Sequence, residues 1–430
     1  MLILQNQNPQ HIRMEENEKQ RKFLIFLTGE FPYGSGETFI ENELPFLARA
    51  FEKVFILVPE KVTNKPQRPI PQNATTILIK KNHPWVQRLT ALANLSFWQA
   101  LLLDLKRKKR PTSFLNIFRN DWHYFTHALQ VRKAILNMMI QKKLKPEETI
   151  FYSYWMDDKA LGAALIKRDN PGVKAVSRAH RWDIYEEMHP IPFLPFRPWL
   201  GFLFDRLVFI SKQGQDYFEK QFSEIPINKL VVSYLGTLPL EPSLIHKSQK
   251  EFTIVSCSSL ISRKRVELIA RAILELNLPI NWTHIGDGPD METIRKFVQE
   301  IESKGGKVNL AGNLPNQAVR RFYEQTIIDL FISTSASEGL PVSMMEAQSA
   351  GIPILATDVG GVNEIVIDGV TGWLLPPDSN AATVAKKIRE IYDLQEAEKQ
   401  KIRQNALKHW QIKFNADENY AAFVNLLQNL

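Results

Sequence analysis

The sequence predicts an α/β protein built from two doubly wound domains that face each other across a central cleft. Three observations carry that expectation. A chain of 430 residues is longer than a single hydrophobic core usually serves. Short apolar runs alternate with longer amphipathic stretches, the pattern of βαβ units on a parallel sheet. A polar, proline-containing segment, LPLEPSLIHKSQKE at 238–251, divides that alternation into two sets.

The elements follow in order. Residues 1–21 are polar, lack the apolar core of a signal peptide and are expected to form a disordered tail. KFLIFLT (22–28) is the first strand, and the loop GEFPYGSGE leads to the helix TFIENELPFLARAF. Strands KVFILVP and TTILIK follow, then a helical stretch over 84–145. TIFYSYW, KAVSRA, RLVFIS and NKLVVSYLGT complete the first half. In the second half, five strands each lead into a helix or loop: FTIVSCSSL, INWTHIGDG, KVNLAGN, IIDLFISTS and IPILATD. Ligands of such sheets bind beyond the strand C-termini. Residues 396–430 are helical, and their end, 406–430, is expected to return to the first domain.

Composition narrows the function. Apolar residues make up 44% and charged residues 23%, as in ordinary globular proteins. The net charge of +8 favours phosphorylated ligands, nucleic acid or an anionic membrane surface. The chain has no zinc-finger spacing and no aromatic-basic RNA-binding motif, so nucleic acid is not expected. Cys257 is the lone cysteine, which fits a reducing compartment, and its apolar run makes it an inert thiol. The longest uncharged stretch, Leu89 to Leu103, is too short to span a membrane.

The stretch SASEGLPVSMMEAQSAGIP concentrates the chemistry. Pro341 suits a helix start and Gly351 a helix stop, so Glu338 lies in a loop between a strand end and a helix N-terminus. Backbone amides and the helix dipole there favour anions. A carboxylate at such a site makes sense if the ligand carries hydroxyls beside its phosphates. Glu346, roughly 10 Å further on at ~1.5 Å per residue, would serve a second set of hydroxyls. Both glutamates are equally readable as ordinary helix-terminal and solvated charges. Gly286 and Gly288 in IGDGP fit either a close approach to a nucleotide or a plain turn. Gly34 and Gly36 end the first domain's opening loop without a third glycine at dinucleotide spacing.

With SLISRKRVELI, IGDGP, ATDVGGVNEIV and DGVTGWLLPP, this stretch resembles the retaining glycosyltransferases of family four, the group 1 transferases. FPYGSGETFIENE, the AHRWD segment and SYLGT extend the likeness, less regularly, into the first half, and the Glu-Thr-Phe-Ile opening resembles a branch that builds bacterial envelope or extracellular polysaccharide. The resemblance implies the GT-B fold. Residues 22–237 would be an acceptor-binding Rossmann-like domain and 238–405 a nucleotide-sugar-binding one, closing about Leu235 to Leu240. It implies that Glu338 holds the donor sugar, Glu346 the ribose, and Gly339 and Leu340 the sugar and distal phosphate through their amides. Lys264 would grip the diphosphate. The family's arginine position holds Ser259, leaving Arg263 or Arg265 for its task. His180 would stabilise the reacting centre, with Asp183 orienting it or meeting acceptor, while Gly34 and Gly36 would close on the phosphates and acceptor. Asp358 and Glu364 would lie near the cleft. The implied reaction needs no cofactor beyond the nucleotide sugar and no metal, and the Asp157-Asp158 pair lacks Asp-x-Asp spacing.

The expected partners are therefore a nucleotide sugar and a glycan or lipid-linked acceptor, in the cytoplasm. Helix 85–105 with the basic run Lys106 to Arg110 either lies on an anionic inner leaflet or packs in the core with a solvated end. Two other functions use the same features: a nucleotide-sugar epimerase on this fold, which needs no acceptor, and a non-catalytic membrane scaffold. A sugar phosphorylase would need a pyridoxal lysine and a larger chain.

Overall fold

The computed structural model describes residues 21–430 apart from 35, 81–83, 108–112, 241–250 and 277. Residues 1–20 of the expected tail, most of the dividing segment and three residues of the basic run lie outside the described residues.

In the first half, β1 (Phe23–Leu27), α1 (Ile40–Ala50), β2 (Lys53–Pro59) and β3 (Ala74–Ile79) open the chain. Three helices follow: α2 (Pro84–Leu92), α3 (Leu95–Leu105) and the long α4 (Phe114–Lys142). Then come β4 (Thr149–Ser153), α5 (Asp158–Asp169), β5 (Lys174–Ala179), α6 (Arg181–Ile184) and α7 (Arg197–Leu203). The half ends with β6 (Arg206–Phe209), α8 (Lys212–Gln221) and β7 (Leu230–Val232). Its seven strands form a parallel sheet in the order β3-β2-β1-β4-β5-β6-β7. Runs such as KVFILVP are apolar at nearly every position because both faces of the sheet are covered.

The second half runs β8 (Phe252–Cys257), α9 (Val266–Glu275), β9 (Ile280–Ile285), α10 (Met291–Ser303), β10 (Lys307–Gly312) and α11 (Asn316–Gln325). It continues through β11 (Leu330–Ser333), α12 (Val342–Ser349), β12 (Ile354–Thr357), α13 (Val362–Ile365) and β13 (Gly372–Leu375). Helices α14 (Ala381–Tyr392), α15 (Glu396–Lys413) and α16 (Ala416–Gln428) close the chain. The sheet is again parallel, ordered β10-β9-β8-β11-β12-β13. It has six strands where the sequence pattern indicated five. The extra one, β13, is a four-residue edge strand (GWLL) between a glycine turn and two prolines, too short to show a period of its own.

Both sheets change direction of winding beside their central strands, between β1 and β4 and between β8 and β11. The loops that matter leave those strand ends. Helix α16 packs against the first half: Phe423 and Leu427 join the core around β1 and β4, and Phe46 meets Tyr420 at 5.5 Å between ring centres. The two crossings between halves run side by side, with Thr237 N–H donating to Phe414 O at 2.9 Å and Ala416 N–H to Thr237 O at 3.0 Å. Gly236 is required there, since a Cβ would sit 2.4 Å from the Ala416 Cα.

Candidate functional site

The site forms where the loop after β11 meets the turn between β8 and α9. Residues 334–338 lie along 263–265: Ala336 N–H donates to Arg263 O at 2.8 Å, and Thr334 Oγ1 to Arg265 O at 2.8 Å. Arg265 adopts a left-handed backbone, φ +48°, at the N-cap of α9. Its guanidinium donates to the carbonyls of Thr334 at 2.6 Å and Ser335 at 3.3 Å. It therefore works inside the loop. Lys264 donates from Nζ to Glu338 Oε1 at 2.5 Å. Arg263 Nη1 donates to the Ser337 carbonyl at 3.0 Å and lies 3.9 Å from Glu338 Oε2. Of the two arginines, Arg263 is the one beside the glutamate.

Glu338 is buried, yet its carboxylate has two cations around it. Gly339 and Leu340 continue the loop to Pro341, the N-cap of α12. The loop after β12 packs on it: Gly361 N–H donates to Gly339 O at 2.8 Å. Gly360, φ +58°, admits no side chain, because a Cβ would lie 2.0 Å from the Glu338 carbonyl oxygen. Glu346 sits on α12, buried, and accepts from Asn316 Nδ2 at 2.5 Å. Burial pushes its carboxyl up to about 7. Gly286 and Gly288 have φ of +139° and +159°. Added Cβ atoms would strike the carbonyl oxygens of Ser258 and Leu260 at 1.9 and 2.3 Å, so their first requirement is the close packing of the two loops after β8 and β9. Cys257 is pushed up to about 12 by burial and is no nucleophile at neutral pH.

The opposite wall comes from the first half. His180 N-caps α6 and its ring lies against Trp155 and Tyr154, with centroids 4.4 and 4.7 Å away, and against Phe39. Burial and the nearby Arg178 charge lower it to about 3, so the ring is neutral at any working pH. Its Nε2 is buried without a hydrogen-bond partner among the described residues. Asp183 accepts from the His180 backbone N–H at 3.1 Å, fixing the turn and not the ring; burial raises it to about 7. Gly34 and Gly36 shape the loop after β1: Gly34 has φ +68°, and Gly36 donates its N–H to Glu30 Oε1 at 2.6 Å.

Glu37 and Arg181, which the sequence left without a role, and Glu364, which it set near the cleft, tie this arrangement together. Glu37 accepts from the backbone N–H groups of Gly29, Glu30 and Phe31 at 2.6–2.8 Å and from the Trp155 indole. It holds the loop after β1 in a ring of donors. Arg181 reaches across the cleft and donates to Ser337 Oγ through Nε at 3.0 Å and through Nη2. Glu364 crosses in the other direction, accepting from the first two amides of α8 at 2.8 and 2.9 Å and from Tyr234 Oη at 2.8 Å. A carboxylate at a helix N-terminus is favourable; here it also joins the two halves. Such long-range partners leave no trace in local spacing.

Residues 243–409 match the family model of the group 1 glycosyl transferases. The match spans the second half and includes Lys264, Glu338 and Glu346. Curated relatives match over a comparable length. An O-antigen biosynthesis glycosyltransferase of Escherichia coli, WbnH, is 30% identical over 45% of this chain and 53% of its own. An uncharacterized glycosyltransferase of Methanocaldococcus jannaschii is 28% identical over 45% and 52%. The chain thus spans about half the length of the curated relatives it matches. Solved structures extend the likeness to both halves as a fold. Sucrose-phosphate synthase of Thermosynechococcus elongatus superposes with a TM-score of 0.69 over 94% of this chain and 98% of that one, at 15% identity. Anabaena HepE in complex with UDP and glucose gives 0.62 over 96% and 100%, also at 15%. The two facing parallel sheets are the GT-B architecture.

Proposed function

We propose that the protein moves a sugar, with retention of anomeric configuration, from a nucleoside-diphosphate sugar to a hydroxyl of a glycan or lipid-linked acceptor in cell-envelope or extracellular polysaccharide synthesis. The observation that carries this reading is Glu338, buried at the mouth of β11 between Lys264 and Arg263. Arg181 of the opposite half binds the adjacent Ser337. Sugar hydroxyls, a diphosphate and an acceptor from the other domain can meet there. The UDP of HepE and the O-antigen role of WbnH support the substrate class.

In this scheme Glu338 accepts hydrogen bonds from the sugar, freeing the Lys264 ammonium to turn toward the diphosphate. The bond from the anomeric carbon to the phosphate oxygen breaks, and that oxygen takes the acceptor's proton. The acceptor oxygen then bonds the same face of the anomeric carbon. Lys264, Arg263 and the N-terminus of α12 stabilise the charge that builds on the departing phosphate. The neutral His180 ring offers its unpartnered Nε2 to the sugar. Domain closure positions the reactants and excludes water. No metal or further cofactor enters the scheme, which runs in the cytoplasm, at the inner face of the membrane where the acceptor is lipid-linked.

A thermal-shift screen of nucleotide sugars, followed by product analysis with and without acceptor, tests this. One donor should stabilise the protein, by ~2.7 kcal/mol at 100 times its dissociation constant, and be consumed in an acceptor-dependent way. Stabilisation by none of them would remove the proposal, and turnover of the donor alone to an isomer would replace it with epimerisation.

Glu346 supplies a pH test. Its carboxyl, raised to about 7, is protonated below that pH and a full acceptor above it. Nucleotide affinity should therefore weaken as pH falls through 7, by at most tenfold per unit, and Glu346→Gln should flatten that slope. Titration calorimetry against the nucleoside diphosphate from pH 6 to 8 reads it.

A further inference from the structure

Helices α2, α3 and the start of α4 carry an apolar face with no cover among the described residues. On α3, Leu95, Trp98 and Leu102 point outward while Phe97, Ala100 and Leu101 fill the core, so one helix shows two apolar faces. Trp85 on α2 is 72% exposed and Leu115 on α4 is 74% exposed. Ring contacts join the patch: Phe118 lies 6.2 Å from both Trp98 and Phe114, and 6.1 Å from Trp122. Monomeric proteins rarely leave so continuous an apolar surface unused.

A cationic pocket opens beside it. Arg88, Arg119, Trp122 and His123 line a cavity of about 460 Å³. Among the described residues neither arginine has a carboxylate partner, and Arg88 rests between the rings of Trp85 and Trp122, 5.3 and 5.9 Å away. Arg107, in contrast, is consumed internally, donating to Glu186 and to the Leu194 carbonyl, so the basic run after α3 contributes less surface charge than its sequence suggests. His123 also lines a second cavity, of about 610 Å³, that runs past His127 and Lys159 to Gly29 at the mouth of β1. There His127 Nδ1 lies 3.0 Å from Asp158 Oδ2. An apolar surface, a pocket lined by two arginines and a second cavity that reaches Gly29 thus follow one another along α4.

Resting on the transferase reading above, we infer that this face lies on a lipid surface and that the Arg88–Arg119 pocket holds the phosphate of a lipid-linked acceptor. The acyl or prenyl part stays in the bilayer beside Trp85, Trp98 and Leu115. The sugar end passes His123 and His127 toward Glu338 and Lys264. The occupant is set by the pairing of features: two arginines without a carboxylate partner among the described residues lie beside exposed tryptophan and leucine side chains, and a lipid surface presents phosphate and hydrocarbon side by side, whereas a second copy with net charge +8 is repelled as a whole.

Cosedimentation with vesicles tests the inference without any need for turnover. Phosphatidylcholine vesicles are compared with the same vesicles containing phosphatidic acid, with inorganic phosphate as a soluble competitor. Wild-type protein should bind the phosphatidic-acid vesicles on the order of 30-fold more tightly, as two basic side chains at an anionic surface would give. The double variant Arg88→Gln, Arg119→Gln should lose that increment and keep the remainder. Trp85→Ser with Leu115→Ser should lose binding to both vesicle types. Unchanged binding in both double variants overturns the proposal. So does full competition by inorganic phosphate, which would mark a free-anion site, or a lipid-free dimer that the Trp85 and Leu115 changes dissolve. The nucleotide-sugar thermal shift, recorded for each variant, is kept in all of them if they fold, and its absence throughout would count against the transferase reading alone.

Discussion

Glu338→Gln is expected to cut sugar transfer by about 10²–10³-fold, the loss typical of removing one preorganised group that faces the transition state. Glutamine preserves the shape of the loop but removes the charge that now sits 2.5 Å from the Lys264 ammonium. Two consequences separate this from simple misfolding. The nucleoside diphosphate should still bind, because the proposed scheme assigns its contacts to the amides after Glu338, to Lys264 and to Glu346. The fall should appear in kcat more than in KM for the acceptor, since the lost contact is with the reacting sugar. Steady-state kinetics with the donor found by the thermal-shift screen read both. Retention of full activity in this variant would remove Glu338 from the mechanism and leave the domain a scaffold.

The largest stability effect is expected from Arg178→Met. Arg178 and Glu43 are fully buried, and Arg178 Nη2 lies 3.2 Å from Glu43 Oε1. The guanidinium also donates to Tyr152 Oη at 2.6 Å and to the Ser233 carbonyl at 3.1 Å, and it stacks 4.3 Å from the Phe423 ring. One side chain thus joins β4, β5, the crossing between halves and the returning helix α16. Removing it strands a buried carboxylate, which costs about 3–5 kcal/mol. Thermal unfolding of the variant measures the loss. Burial already raises the Glu43 carboxyl above its ordinary range, and without Arg178 it rises further. A folded-state value above the unfolded one stabilises at low pH and is lost as pH rises through it. The variant should therefore recover stability as pH is lowered, and the double change with Glu43→Gln should cost less than Arg178→Met alone.

Much of the architecture is visible in local pattern. The strand KVFILVP forms over the residues its sequence indicates, because buried parallel strands are short, continuous apolar runs between turn residues; KAVSRA also forms as read, with Ser177 and Arg178 buried in place of apolar residues. Edge strand β13 carries too few residues to announce itself. In the site, SASEGLP marks a strand-to-helix loop, and Lys264 lies where the resemblance places a phosphate-binding lysine. Arg263 and Arg265 look equivalent in SRKR, and the left-handed turn at Arg265 is what sends one guanidinium into the loop and leaves the other beside Glu338.

By itself the sequence determined two parallel α/β halves, a pair of glutamates around a helix N-terminus and a candidate lysine, because each of these depends on residues within a few positions of one another. The tertiary structure decided the rest: the pairing of Lys264 with Glu338, the reach of Arg181 and Glu364 between halves, the neutral buried ring of His180, and the gathering of Arg88 and Arg119 beside an uncovered apolar face. Those features depend on groups tens to hundreds of residues apart, and on burial that changes a side chain's charge, neither of which any local spacing encodes.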